Sequence, residues 1–184
     1  MLAGMKQILL MIAVVALVGC GESGPANIAD PIVEKAIREL LKKPTGELTE
    51  ADLAEVWRLN FALTKITDAG LKDIAKLQKL KSLNLTRTQI TDAGLKDIAK
   101  LQKLTGLVLA STRITDEGLK GVAKLQKLTF LELTGTKITD EGLKEVVKLQ
   151  QLTYLNLSHT QITDAGVAEL KKALPKCKIY GFGP

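Results

Sequence analysis

This chain is poor in the residues that most chemistry uses. Its 184 residues include one histidine, His159, two cysteines, Cys20 and Cys177, and only six aromatic side chains. No Ser-His-Asp or Cys-His pairing, no glycine-rich phosphate loop and no metal-ligand spacing accompanies them. An enzyme, a bound cofactor and a metal centre therefore have no support. Two cysteines, one of them committed elsewhere, exclude a disulfide framework. Blocks of one charge are missing too. The 26 basic and 20 acidic residues are interspersed, which reads as a solvated face and does not call for nucleic acid. No apolar run reaches the ~20 residues that a membrane-spanning helix needs.

What is present begins with an export pattern. Lys6 supplies a positive start, and Ile8 to Val18 is an unbroken run of eleven apolar residues. That length suits the core of a cleaved signal. The run ends in Leu17-Val18-Gly19-Cys20, and here the sequence resembles a bacterial lipoprotein precursor, with residues 1–19 as the signal peptide. The resemblance implies that the Cys20 thiol carries a diacylglyceryl group, that cleavage falls just before it, and that the new amino group is usually acylated. With Gly21 rather than Asp after the cysteine, it further implies the outer membrane, where the cell has one. Without the signal, 25 basic residues face 20 acidic ones, a net charge of about +5. Residues 20–29 read as the lipidated cysteine and a short tether, whose last nine residues reach at most about 30 Å. Two or three acyl chains anchor stably where one does not.

The rest is organised by repetition. The stretch Leu104 to Lys127, LTGLVLASTRITDEGLKGVAKLQK, recurs 24 residues before and 24 residues after itself. Leu80, Leu104, Leu128 and Leu152 open four such units, and Val56 opens a degenerate one. A fixed period between 20 and 29 with L-x-x-L-x-L in each unit is the mark of a leucine-rich repeat. The expected fold is an α/β solenoid, a horseshoe with short parallel strands on its concave face and helices on its convex face. Residues 56–175 hold the five repeats, and residues 176–184 a closing strand.

Residues 30–55 resemble the helical N-terminal cap of bacterial leucine-rich proteins, needed because the first repeat would otherwise expose its apolar edge. Asp30-Pro31 starts a helix, with Ile32, Val33, Ala36, Ile37, Leu40 and Leu41 as its buried stripe and Pro44 as its stop. Thr49 and Asp52 have capping-box spacing for a second helix. Trp57 is expected to pack within this cap.

Within one unit, Leu80, Leu83 and Leu85 should point inward while Ser82, Asn84 and Thr86 alternate outward. Thr64, Thr88, Thr112, Thr136 and Thr160 occupy the place where such repeats commonly carry Asn or Cys, and their hydroxyls are expected to satisfy turn groups. Thr91 is the helix N-cap, and Asp92 favours the positive helix end. The column Asp68, Asp92, Asp116, Asp140 and Asp164 is read as helix capping rather than a calcium ladder, because the glycine-rich nine-residue motif is absent. Val167, Leu170 and Leu174 make the last helix, Ile179 falls in register with Leu155, and Tyr180 and Phe182 are expected to cover the far end. Cys177 reads as a buried, inert thiol.

Inward positions repeat almost unchanged, and the outward strand positions carry the variation. Ser82, Gly106, Phe130, Tyr154 and Lys178 form one column; Asn60, Asn84, Val108, Glu132 and Asn156 form the next. Strands about 4.8 Å apart should stack Phe130 on Tyr154, beside a hollow at Gly106 and Ala110. Val108, Phe130 and Tyr154, rimmed by Arg87, Glu132 and His159, make the candidate contact patch. The expected partner is another protein on the concave face, the membrane is reached through the lipid anchor, and the chain itself is a monomer. A spacer, or a binder of anionic envelope polymers through the lysine-rich convex face, is the alternative.

Overall fold

The structure, a computed structural model, describes residues 24–181. The signal segment, Cys20 and Phe182 lie outside the described residues. Two cap helices, α1 (Pro31–Leu41) and α2 (Glu50–Glu55), lead into β1 (Arg58–Asn60). Helix and strand then alternate: α3 (Asp68–Ile74), β2 (Ser82–Asn84), α4 (Asp92–Ile98), β3 (Gly106–Val108), α5 (Asp116–Val122) and β4 (Phe130–Glu132). The array ends with α6 (Asp140–Val146), β5 (Tyr154–Asn156), α7 (Asp164–Ala173) and β6 (Lys178–Tyr180). The six strands form one open sheet in chain order, and every neighbouring pair is parallel. The 24-residue period appears directly in the register, which pairs Leu59, Leu83, Leu107, Leu131, Leu155 and Ile179 across the sheet.

The inward leucines are buried as expected, Leu80, Leu83, Leu85, Leu95, Ile98 and Leu101 among them. Each contributes about 1.5–3 kcal/mol by leaving water. Chain polar groups are satisfied by columns of side chains. The hydroxyls of Thr64, Thr88, Thr112, Thr136 and Thr160 donate to the carbonyl three residues earlier at 2.6–2.7 Å. A glutamine column does the same for the helix ends: Gln78, Gln102, Gln126 and Gln150 donate to the carbonyls of Ala75, Ala99, Ala123 and Val147. Those carbonyls would otherwise be orphans of the last turn.

The aspartate column works between units rather than within them. Asp92 accepts the Thr115 amide at 2.9 Å on Oδ1 and the Thr115 hydroxyl at 2.6 Å on Oδ2. Asp68 holds Thr91, Asp116 holds Thr139 and Asp140 holds Thr163 in the same way. Each carboxylate thus clamps the start of the following helix, whose own N-cap is that same threonine. Close approach is allowed by a glycine: a Cβ at Gly94, Gly118, Gly142 or Gly166 would fall within 3.0 Å of the preceding unit's aspartate. These acids stand in the first turn of their own helices, as the spacing predicts, and their carboxylate oxygens bond the next unit as well.

Asp30 extends this ladder into the cap. It N-caps α1 by accepting from the Ile32 and Val33 amides, while its Oδ2 lies 2.8 Å from where a Gly70 Cβ would stand. The cap helix thus sets an aspartate over Gly70 as a preceding repeat would, but its bonds go to α1 itself, and Thr67 starts α3 without a side-chain cap bond. Helix α1 ends at Leu41, three residues before Pro44, because Lys42 turns into the left-handed region at φ 54°. The Thr49–Asp52 capping box forms in both directions, and Lys43 meets Asp52 at 2.6 Å. That ammonium, with the Thr49 amide, pulls the Asp52 carboxyl down to about 2.

Three expectations are corrected. The expected tether of residues 20–29 is part of the domain from Gly24 onward: Pro25 bridges Thr49, the Ala26 amide donates to the Leu48 carbonyl, and Ile28 packs on the core. Asp73 holds the end of this strap by accepting from the Ala29 and Asp30 amides at 2.8 and 2.7 Å. Trp57 is 51% exposed instead of packed in the cap, with the Arg58 guanidinium 5.1 Å from its ring centroid. It precedes a strand at the solvated rim, where later units carry Lys81 or Thr105, so no core position is open to it. Tyr180 does not close the far end; it is 46% exposed and belongs to the sheet face described next.

Candidate functional site

The outward residues of the six strands form two columns that the parallel register fixes. Arg58, Ser82, Gly106, Phe130, Tyr154 and Lys178 make the first, and Asn60, Asn84, Val108, Glu132, Asn156 and Tyr180 the second. Phe130 and Tyr154 stack with centroids 4.3 Å apart and planes 6° from parallel. Tyr180 leans across from the second column onto Tyr154, at 5.1 Å and 33°. The result is a three-ring ledge over β4 to β6. Its Phe130 end is 36% exposed and borders Gly106. Tyr180 was missed as a site residue, although counting 24 residues on from Asn156 places it in the outward column.

The second column does turn work. Asn84 Oδ1 accepts from the Thr86 amide and hydroxyl, Asn156 does the same for Ser158, and Asn60 accepts from the Ala62 amide. Glu132 performs this task with Oε1 for Thr134. Val108 has no such group, and Ala110 no hydroxyl to receive one, so the central unit is flat and apolar here.

Register therefore brings Val108, Phe130, Glu132 and Tyr154 together. Arg87 and His159 stand apart from each other, in the exposed left-handed turns that follow β2 and β5, at φ 52° and 55°. They flank the patch along one edge of the sheet. A groove of about 550 Å³ opens on the other side of Gly106, between α1 and the first three strands. Glu39 and Leu40 of the cap, with Arg58, Asn60, Ser82 and Val108, line it. The lean of α1 over the sheet edge is tertiary, and no periodicity announces Glu39 as a neighbour of Arg58.

On the convex side, six lysines of the repeats meet an acid three residues earlier: Lys76, Lys100, Lys120, Lys144, Lys148 and Lys172. Apart from the pair at the buried Asp73, these exposed pairs add at most about 1 kcal/mol each, yet together the six cancel much of the field that this face would project. Cys177 is half-buried, and desolvation pushes its thiol up to about 11. Among the described residues no group of three or more His, Cys, Asp or Glu side chains could hold a metal, and no helix is long and apolar enough to cross a membrane.

An open parallel sheet with one helix per 24-residue unit, closed at its N-terminal end by a helical cap, defines a leucine-rich repeat solenoid. The chain belongs to the Leucine Rich repeat family, whose profile matches residues 76–99, 100–123, 124–147 and 148–171. Its fold is similar to that of an internalin, InlF, of Listeria monocytogenes (TM-score 0.50, 22% identity, 86% of this chain and 58% of that one). It is also similar to a leucine-rich repeat protein of Leptospira interrogans (TM-score 0.51, 26% identity, 70% of this chain and 38% of that one). In both cases this chain spans less than two thirds of the protein it resembles. No curated protein matches the sequence.

Proposed function

We propose that this chain is a lipid-anchored envelope protein that binds another protein through its concave sheet. The observation that carries the reading is the Phe130–Tyr154 stack on the outward sheet face, with Phe130 exposed and Tyr154 half-buried. Large aromatics on a solvated sheet cost solubility, and neither ring is needed to fill the core, which the inward leucines already complete. Clustered aromatics beside small and polar residues are how contact sites on proteins are built. Repeat solenoids use their curved face in this way. The anchor rests on Lys6, the apolar run and Cys20; the strap from Gly24 leaves only Gly21 to Ser23 between the lipid and the folded domain. The domain thus sits close against the membrane surface.

Capture from detergent-solubilised envelope, with the lipidated protein as bait, tests the first part. Phe130→Ala with Tyr154→Ala should abolish capture; a partner retained by that double variant sinks the concave-face reading. Cys20→Ser should leave an unacylated precursor, and a lipidated Cys20→Ser protein would sink the anchor. The alternative, convex-face binding to anionic polymers, is weakened by the six lysine–acid pairs. It requires binding that falls steeply with salt and survives the aromatic double variant.

A further inference from the structure

The glycines of the repeats have reasons that can be read one by one, with a single exception. Gly70, Gly94, Gly118, Gly142 and Gly166 each lie beneath an aspartate that a Cβ would strike. A Cβ at Gly121 would lie 2.9 Å from the Leu95 carbonyl, and Gly135 sits at φ 67°. Gly106 has neither constraint. A Cβ there would meet only Ser82 Oγ at 3.8 Å and the Lys81 carbonyl at 4.0 Å, which are ordinary contacts. Glycine inside a strand weakens it, and its retention commonly marks close approach by another group.

Two neighbours depart from the fold's needs in the same place. Phe130 is the register partner of Gly106, and the ring face turned away from Tyr154 looks over the glycine. Glu132 is the register partner of Val108 and the only acid among the outward strand residues. Its turn bond is made equally by Asn60, Asn84 and Asn156, so the fold does not require the charge. One carboxylate oxygen serves Thr134, and Oε2 has no protein donor among the described residues. Ser82 and Val108 connect this point to the groove beneath α1.

Taking the concave face as the binding surface, as proposed above, we infer that the gap at Gly106 is a slot for an arginine side chain of the partner protein. The stack Tyr154–Phe130 proceeds at 4.3 Å per ring, and the next place in it is empty. A guanidinium is flat, lies on an aromatic face through cation–π attraction, and presents paired donors to a carboxylate beside it. Glu132 supplies that carboxylate, Ser82 a hydroxyl on the opposite wall, and Gly106 the floor. Lysine has the charge but not the plane; an aromatic side chain has the plane but leaves Glu132 unanswered.

The test is an NMR titration of the folded domain with the tripeptide acetyl-Gly-Arg-Gly-amide to ~10 mM, a range that reads weak single-residue affinities. Shifts should be confined to Ser82, Gly106, Val108, Phe130 and Glu132, with the arginine δ-methylene protons moved upfield by the Phe130 ring. Gly106→Val and Gly106→Thr should abolish the shifts while unfolding no earlier than wild type, and Glu132→Asn should weaken them at least tenfold. Equal response to the lysine or phenylalanine tripeptide, unchanged binding by both Gly106 variants, or no response at all would overturn the slot. Envelope capture separates the two levels of the argument. A partner kept by Gly106→Val but lost with Phe130→Ala and Tyr154→Ala overturns the slot alone; a partner kept by every variant overturns the concave-face reading beneath it.

Discussion

Gly118→Ala is the sharpest test of how the repeats are joined. The added methyl would fall within 3.0 Å of Asp92 Oδ1 and 2.9 Å from Ile114 Cγ2. The carboxylate must swing away, and with it go the bonds to the Thr115 amide and hydroxyl. Hydrogen bonds to a charged group contribute about 1.5–3 kcal/mol each, with the lower figure apt for a half-buried site. Against a loss of roughly 3 kcal/mol stands a helix-propensity gain of about 0.8–1 kcal/mol for alanine over glycine. The net cost is then about 2 kcal/mol, or a fall in Tm of roughly 4–8 °C for a domain of this size. Urea unfolding should show a lower midpoint at unchanged slope. In an Asp92→Ala background the same substitution should cost much less, because the clamp is already gone, and the difference measures the coupling. Gly118→Ala within 0.5 kcal/mol of wild type, or the same penalty in both backgrounds, would refute the clamp.

Acid should loosen the cap. The Lys43 ammonium and Thr49 amide hold Asp52 near 2, below its ordinary 3.8. A depressed carboxylate contributes stability that is present above about pH 4 and is lost as pH falls towards 2. Lys43→Met should flatten that part of the stability profile in urea titrations; an unaltered profile would count against the pair. For Asp73, burial alone would raise the carboxyl, but the Lys76 ammonium and the Asp30 and Ala29 amides outweigh it and hold it below its usual value. The sign is the same, so hydrogen exchange at Ala29 and Asp30 should quicken in Asp73→Asn while Leu107 stays protected. At Cys177 desolvation holds the thiol near 11, so a disulfide reagent at pH 8 should react roughly two orders of magnitude more slowly than with free cysteine. A rate like that of the free thiol would contradict the burial.

Much of the architecture can be read without coordinates because a solenoid makes every long-range contact a local one, repeated. Leu83 meets Leu107 and Leu59 for the same reason that their sequence neighbourhoods match. The period therefore dictates register, and register dictates the Phe130–Tyr154 stack and the Val108–Glu132 pairing. Trp57 shows where composition misleads: size favours burial, yet its place before β1 lies on the solvated rim. Tyr180 shows the opposite error, since it stands 24 residues after Asn156 and the period alone places it on the sheet.

The sequence alone determined the period, the inward face, the capping residues and the column in which each outward side chain stands, because these follow from 24-residue spacing and strand alternation. Tertiary structure alone decided which acids are free. Asp92 and its equivalents are consumed by the next unit, Glu132 keeps an oxygen unpaired, and Asp73 is taken by a strap 43 residues away, because hydrogen bonding depends on where the neighbouring backbone passes. Only there, too, does Gly106 separate from the other glycines. Its neighbours in sequence do not say that the space above it is empty; the packing of the adjacent strands does.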